Sequence, residues 1–178
     1  MKIGFLGAGA MGGAILSGAL DAGVFAPQDV YVADFSQAIK DKYAALGCNI
    51  CDKNTDLGQA DIVLIALKPQ YAAGAIASLE NSLEGKAVIS IMAGLKAEAV
   101  RSMIQANVRL LRTMPNTPAL VNAGAFALDA DCDLTDEEKA FAEKLFGALG
   151  VFEWMPEHLI DTATGLSGAG PAYVYMFI

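Results

Sequence analysis

Gly7-Ala8-Gly9-Ala10-Met11-Gly12 is the stretch on which the fold turns. It matches G-x-G-x-x-G, a pattern that is weak alone and gains weight from its surroundings. The apolar run Lys2–Leu6 before it reads as a strand. The apolar residues after it, to about Ala22, read as a helix, and an acidic residue, Asp34, stands twenty-two positions beyond Gly12. In a dinucleotide-binding unit the first glycine permits a tight turn, the second lets the backbone approach a pyrophosphate, and the third lets helix lie close to strand. Amides at the helix start then receive the phosphates without arginine. Gly7, Gly9, Ala10, Met11 and Gly12 are therefore the first cofactor-binding candidates. A carboxylate at Asp34 bonds the 2′-hydroxyl of NAD and repels the 2′-phosphate of NADP. The same residue can instead help cap the helix that follows.

Working outward, strands and helices alternate. Asp29–Ala33, Asp61–Leu67, Lys86–Met92 and Val108–Thr113 read as strands, and the unbroken apolar run of Asp61–Leu67 marks burial on both faces. Between them a helix capped by Ser36 runs to Leu46 and stops at Gly47, another starts at Pro69, and Ala97–Ala106 reads as a third. Thr135 and Glu138 form a capping box before the helix Glu137–Leu149, which Gly150 stops. This alternation predicts an α/β fold with a mostly parallel sheet and helices on both faces. Cys48-Asn49-Ile50-Cys51 reads as a short strand with its thiols facing opposite ways, not as a redox pair. Ligands in open α/β sheets bind beyond the strand C-termini, so Ala66, Leu67, Lys68, Pro69, Ala93 and Gly94 should line the cofactor crevice. After Pro156 the pattern changes to a helix over Glu157–Thr164, a glycine-rich break, and a further helix over Pro171–Ile178. Residues 1–153 are expected to form the dinucleotide-binding domain and 154–178 to begin a second domain that is incomplete here.

Composition narrows the function classes. The chain has 178 residues, 54% hydrophobic and 18% charged, which excludes intrinsic disorder and a coiled coil. A net charge of −8 gives no basic surplus for nucleic acid. The uncharged run Ile3–Leu20 has the length of a membrane or export segment, but Gly4, Gly7, Gly9, Gly12, Gly13 and Gly18 interrupt it, so no membrane association is expected. Three cysteines are too few for a disulfide framework, which points to a reducing cytoplasm. No metal-ligand spacing and no nucleophile motif occur, and the lone His158 reads as a surface residue.

Three stretches go further: Ile3–Ala14, then Arg112-Thr-Met-Pro-Asn-Thr-Pro118 with Gly124, then Asp161-Thr-Ala-Thr-Gly-Leu-Ser-Gly-Ala-Gly-Pro-Ala-Tyr173. In this order and spacing the chain resembles the pyrroline-5-carboxylate reductases. The resemblance implies a Rossmann-like domain followed by an all-α dimerisation domain, and a homodimer or higher homo-oligomer formed through the C-terminal helices. The implied reaction is the last step of proline biosynthesis, reduction of the C=N bond of 1-pyrroline-5-carboxylate to L-proline. NADPH is the preferred donor on family practice, with NAD as the alternative that Asp34 favours. A cyclic imine accepts hydride readily, so catalysis needs positioning more than a strong acid.

Met114, Pro115 and Asn116 lie past a strand end and should border the nicotinamide, with the Asn116 amide offering both donor and acceptor. The resemblance adds Asn54 at the adenosine end, Ser167, Gly168, Ala169 and Gly170 at the substrate, and Glu157 near the substrate nitrogen. Amides before a helix starting at Pro171 suit a carboxylate. The family's further Gly- and Thr-rich active-site segment lies outside these 178 residues. Two alternatives stay open: a β-hydroxyacid dehydrogenase, although no lysine follows Lys144, and a non-catalytic NADP-binding sensor.

Overall fold

Six short apolar runs become the parallel strands β1 (Ile3–Leu6), β2 (Val30–Ala33), β3 (Asn49–Ile50), β4 (Ile62–Ile65), β5 (Ala87–Ser90) and β6 (Arg109–Met114). The computed structural model describes all residues from Met1 to Ile178. Their order across the sheet is β3-β2-β1-β4-β5-β6, in register from Ile3↔Val30 and Ile3↔Ile62 outward. This is the doubly wound order, in which the chain reverses direction beside β1 and leaves a crevice at the strand C-termini. Every residue of β1, β2, β4 and β5 is buried, as continuous apolar runs require when helices cover both faces.

The strand period of two divides the core. Ile3, Phe5, Val30, Val32, Ile62 and Leu64 face one layer with Ile15 and Leu16 of α1 (Ala10–Asp21) and Tyr43 of α2 (Gln37–Ala45). Leu6, Ala33, Val63, Ile65 and Val88 face the other with Ala72 and Ile76 of α3 (Pro69–Ala77) and Val100 of α4 (Ala97–Met103). Cys48 lies in the first layer and Cys51 in the second, so the two thiols stand on opposite sides of the sheet. The capping box before α5 (Asp136–Gly147) forms in both directions: the Glu138 amide donates to Thr135 Oγ1 at 3.3 Å, and the Thr135 amide to Glu138 Oε2 at 2.9 Å.

Three sequence expectations change. Two further strands extend the sheet: β7 (Gly124–Asp129), antiparallel to β6, and β8 (Gly150–Met155), parallel to β7. Gly150 begins β8 instead of merely ending a helix, and the expected boundary after residue 153 falls inside that strand. Ser36 occupies the N-cap of α2 but makes no side-chain cap, and its own amide donates to Asp34 Oδ1 at 2.9 Å. The glycine-rich break is not a break. After α6 (Glu157–Ala163) a π-helical turn at Thr164–Gly168 leads directly into α7 (Gly170–Phe177). No helix is long and apolar enough to cross a membrane.

Candidate functional site

The glycine turn performs three separate tasks. Gly7 sits at φ +90°, where an L side chain is strained, and its amide donates to Ala33 O at 2.8 Å, joining β1 to β2. A Cβ on Gly12 would stand 2.5 Å from Gly7 O and 2.7 Å from Ala66 Cβ, so only glycine lets α1 pack this close to β1 and β4. A Cβ on Gly9 would meet nothing within 4 Å. That open space faces the first turn of α1, where the amides have no intrahelical acceptor. Gly9 supplies no side-chain cap and the turn carries no acidic residue, so its positive end is left unneutralised. The donor set fits a phosphate group.

A cleft of about 680 Å³ opens from this turn. Gly7, Gly9, Ala10, Met11, Asp34, Asn54, Ala66, Leu67 and Lys68 line it. Gly12 lies beneath the turn, Pro69 begins α3, Ala93–Gly94 follow β5, and Met114 ends β6 with Pro115–Asn116 after it, all outside the cleft walls. Phe35, Lys40, Asp52 and Tyr71 also line the cleft, and sequence reasoning named none of them for it.

Asp34 is more than a surface carboxylate. Oδ2 accepts the Ala8 amide at 2.8 Å and Oδ1 the Ser36 amide at 2.9 Å, so one side chain ties the glycine turn to the start of α2. Each oxygen keeps a second lone pair for a ribose hydroxyl. Asn54 donates to Ser78 Oγ at 2.7 Å, fixing its rotamer at the start of a short 3-10 turn.

The loop after β6 lies beside α1, because the 3-10 turn Thr117–Val121 packs on that helix. Asn116 Oδ1 accepts the Ala125 amide at 2.8 Å, which orients the side chain and leaves its NH2 as the spare donor. A Cβ on Gly168 would be 3.4 Å from Met114 Cε, so the π turn and the Met114 loop meet. The helical continuity alters the substrate-side expectations. The Ala169 amide already donates to Thr164 O at 2.9 Å, and Ser167 Oγ donates to Ala163 O at 2.9 Å. These groups close the helix instead of standing free before it.

Glu157 also differs from expectation. Its Oε1 accepts the Ala97 amide at 2.7 Å and Arg112 Nη1 at 3.3 Å. Arg112 is buried in β6 and reaches Asp161 with its other terminal nitrogen. Glu157 thus fastens α6 to the start of α4 and to the sheet. The sequence signal for this latch is Arg112 placed among the apolar and β-forming residues of β6, since a buried guanidinium demands carboxylate partners. No three His, Cys, Asp or Glu side chains cluster as a metal site.

Residues 2–94, from β1 past β5, match the family model described as NADP oxidoreductase coenzyme F420-dependent. Pyrroline-5-carboxylate reductase of Escherichia coli K12 is 37% identical over 99% of this chain and 67% of its own length. That of Methanosarcina acetivorans is 35% identical with the same coverage. The solved pyrroline carboxylate reductase of Plasmodium falciparum, with NADP bound, superposes at a TM-score of 0.88 with 30% identity, covering 99% of this chain and 66% of that one. The Coxiella burnetii pyrroline-5-carboxylate reductase structure gives 0.91 and 30%, over 99% and 67%. The chain spans about two thirds of the length of these relatives. Sequence and fold agree over the glycine turn, the sheet and the helices that follow it: the chain belongs to the pyrroline-5-carboxylate reductase family.

Proposed function

We propose that this chain binds a reduced nicotinamide dinucleotide in the 680 Å³ cleft and works in the reduction of 1-pyrroline-5-carboxylate to L-proline. The observation that carries the reading is the open face of Gly9 above the uncapped start of α1, flanked by Asp34. The bound dinucleotide supplies hydride to the imine carbon. The chain's own residues bind and orient: first-turn amides of α1 take the pyrophosphate, Asp34 takes a ribose hydroxyl, and the spare Asn116 NH2 donor takes a carboxamide or carboxylate oxygen. Met114 and Pro115 border the nicotinamide, with Ala93 and Gly94 on the adjoining strand end.

NADPH is the donor in this reading and NADH the alternative. Lys40 on the cleft wall can meet a 2′-phosphate, whereas Asp34 opposes one. The helices that follow β8, from Glu157 on, belong to a helical unit through which copies of the protein associate. Free Cys48, Cys51 and Cys132 suit the cytoplasm.

The test is oxidation of NADPH and NADH that depends on added 1-pyrroline-5-carboxylate, measured with the product of the complete reading frame. Substrate-dependent oxidation is expected, with the higher catalytic efficiency for NADPH. A sample that binds NADPH and oxidises none of it with the imine would reject the reductase reading. A strong NADH preference would reverse the cofactor order.

A further inference from the structure

Two alternate residues of β6 touch the helical segment that follows the sheet. Arg112 and Met114 stand two apart in the strand, so they project to the same face. Arg112 is 3% exposed; its Nη1 donates to Glu157 Oε1 at 3.3 Å and its Nη2 to Asp161 Oδ1. Glu157 and Asp161 are four apart on α6 and share one side of it, so a single planar guanidinium reaches both. Ile160, fully buried beside them, seats the helix on the sheet. One turn further on, Met114 Cε lies 3.4 Å from where a Cβ of Gly168 would stand, against the π turn.

The segment between these two contacts is continuously bonded. Thr164 Oγ1 donates to Ile160 O at 2.7 Å, Ser167 Oγ to Ala163 O at 2.9 Å, and the Ala169 amide to Thr164 O at 2.9 Å. Any tilt of α6 is therefore carried into the π turn. Gly168 lies about 10 Å along the helix from Asp161, so a tilt of about 6° displaces it by about 1 Å across Met114. A buried ion pair adds little stability over a well-packed apolar replacement; what this one fixes is the angle of α6.

We propose that Arg112 is a positioning residue for hydride transfer: through Glu157 and Asp161 it sets the spacing between the π turn and the Met114 loop, and so the placement of the imine on the nicotinamide. This role rests on the reductase reading. In that reading Met114 borders the nicotinamide, and the imine carbon lies in the gap that the π turn closes. The C–H electron pair leaves the nicotinamide as hydride and bonds to the imine carbon, while the C=N π pair passes to the nitrogen, which is protonated from solvent. Arg112 touches neither partner. A misplacement of about 1 Å between them can lower such a rate about 100-fold.

The experiment uses the product of the complete reading frame in single turnovers, with bound NADPH mixed with saturating 1-pyrroline-5-carboxylate. The amplitude counts competent sites and the rate constant reads the hydride step. Asp161→Ala removes one tether at a side chain that is 57% exposed, and Asp161→Asn keeps an oxygen that accepts from Arg112. Arg112→Lys keeps the charge, but one ammonium cannot reproduce the fork that holds both carboxylates. The rate constant is expected to fall about tenfold or more in Asp161→Ala and Arg112→Lys, and to stay near the parent value in Asp161→Asn. Amplitude and NADPH affinity by calorimetry are expected to match the parent in all three.

Parental rate constants in both Asp161→Ala and Arg112→Lys overturn the proposal. So does a loss in Asp161→Asn equal to that in Asp161→Ala, or a loss confined to the amplitude, which reports fewer folded sites and no change in placement. A parent protein that binds NADPH and transfers no hydride to the imine overturns the reductase reading itself, and the positioning role falls with it.

Discussion

The same chemical change, one methyl group, should have opposite consequences at two glycines three residues apart. At Gly12 the added Cβ meets Gly7 O at 2.5 Å and Ala66 Cβ at 2.7 Å, both on or close to backbone that cannot swing aside. Relief requires α1 to move off β1 and β4, where Ile15 and Leu16 are fully buried. Overpacking of a closed core typically costs ~1–3 kcal/mol per offending group. Two simultaneous contacts place Gly12→Ala near ~4 kcal/mol, offset by ~1 kcal/mol of helix propensity. The net loss of ~3 kcal/mol lowers the melting temperature by roughly 6–12 °C in a chain of this size.

At Gly9 the added Cβ meets nothing within 4 Å, so Gly9→Ala should cost under ~1 kcal/mol, the difference between glycine and alanine at an N-cap. The methyl nevertheless occupies the face a phosphate must approach, and NADPH affinity is expected to fall at least tenfold. Thermal melts followed by circular dichroism, with NADPH calorimetry on the same samples, separate the two effects. A Gly12→Ala chain that melts with the parent would refute the close-packing argument. A Gly9→Ala chain that keeps full NADPH affinity would refute the phosphate argument.

Two carboxylates should give pH dependences of opposite sign. Hydrogen bonds from Arg109 hold the Glu138 carboxyl below the usual glutamate range, so its contribution is present above the unfolded value and lost as pH falls through the folded one. Glu138→Gln should cost ~1–2 kcal/mol at neutral pH, discounted for the partly exposed Arg109, and nothing in acid where the parent is protonated too. Burial pushes the Asp129 carboxyl up, so folding is favoured by its protonation and loses stability as pH rises through the folded value. Asp129→Asn, which keeps an acceptor for the Asp131 amide, should raise the neutral melting temperature and leave the acid one unchanged; a fall at neutral pH would contradict this. Arg112→Met should destabilise by ~2–3 kcal/mol in urea titrations, reduced from a fully buried pair because Asp161 is 57% exposed. Glu157→Gln should cost less, since its amide oxygen still accepts the Ala97 amide, and should leave NADPH affinity intact. Burial raises all three thiols, Cys51 to about 12, and Cys48 and Cys51 are buried, Cys51 at the floor of the cleft, so iodoacetamide at pH 8 should modify these two slowly until the chain is denatured; rapid labelling of the folded chain would show that they open to solvent.

The first half of the fold and most of the lining of its cleft were legible in sequence. Gly7, Gly9 and Gly12 carry information about backbone approach that no other residue type can carry. The run Ile62–Ile65 announces its own burial, and the Thr135–Glu138 capping box is complete within four residues. β7 was not legible, because Gly-Ala-Phe-Ala-Leu-Asp contains no β-branched residue and owes its strand form to hydrogen bonds with β6 and β8. β8 is half exposed and follows a glycine that reads equally well as a helix stop. The π turn at Thr164–Gly168 looked like a loop because the cost of its glycines is visible in sequence, whereas the bonds from Ser167 to Ala163 and from Thr164 to Ile160 that fill it are not.

The sequence by itself determined what depends on residue type and near neighbours: the order of strands and helices, the glycine turn that leaves the start of α1 open, and the two faces of the sheet. Only the tertiary structure decided which carboxylates are spent inside the fold and which walls carry exposed rings. Asp34 lies 26 positions from Ala8, and Glu157 lies 60 from Ala97 and 45 from Arg112. A hydrogen bond is satisfied across space and leaves no periodic trace in the chain, so Asp34 as a tie between two elements, and Glu157 as a latch instead of a free acid, appear only when the partners are brought together.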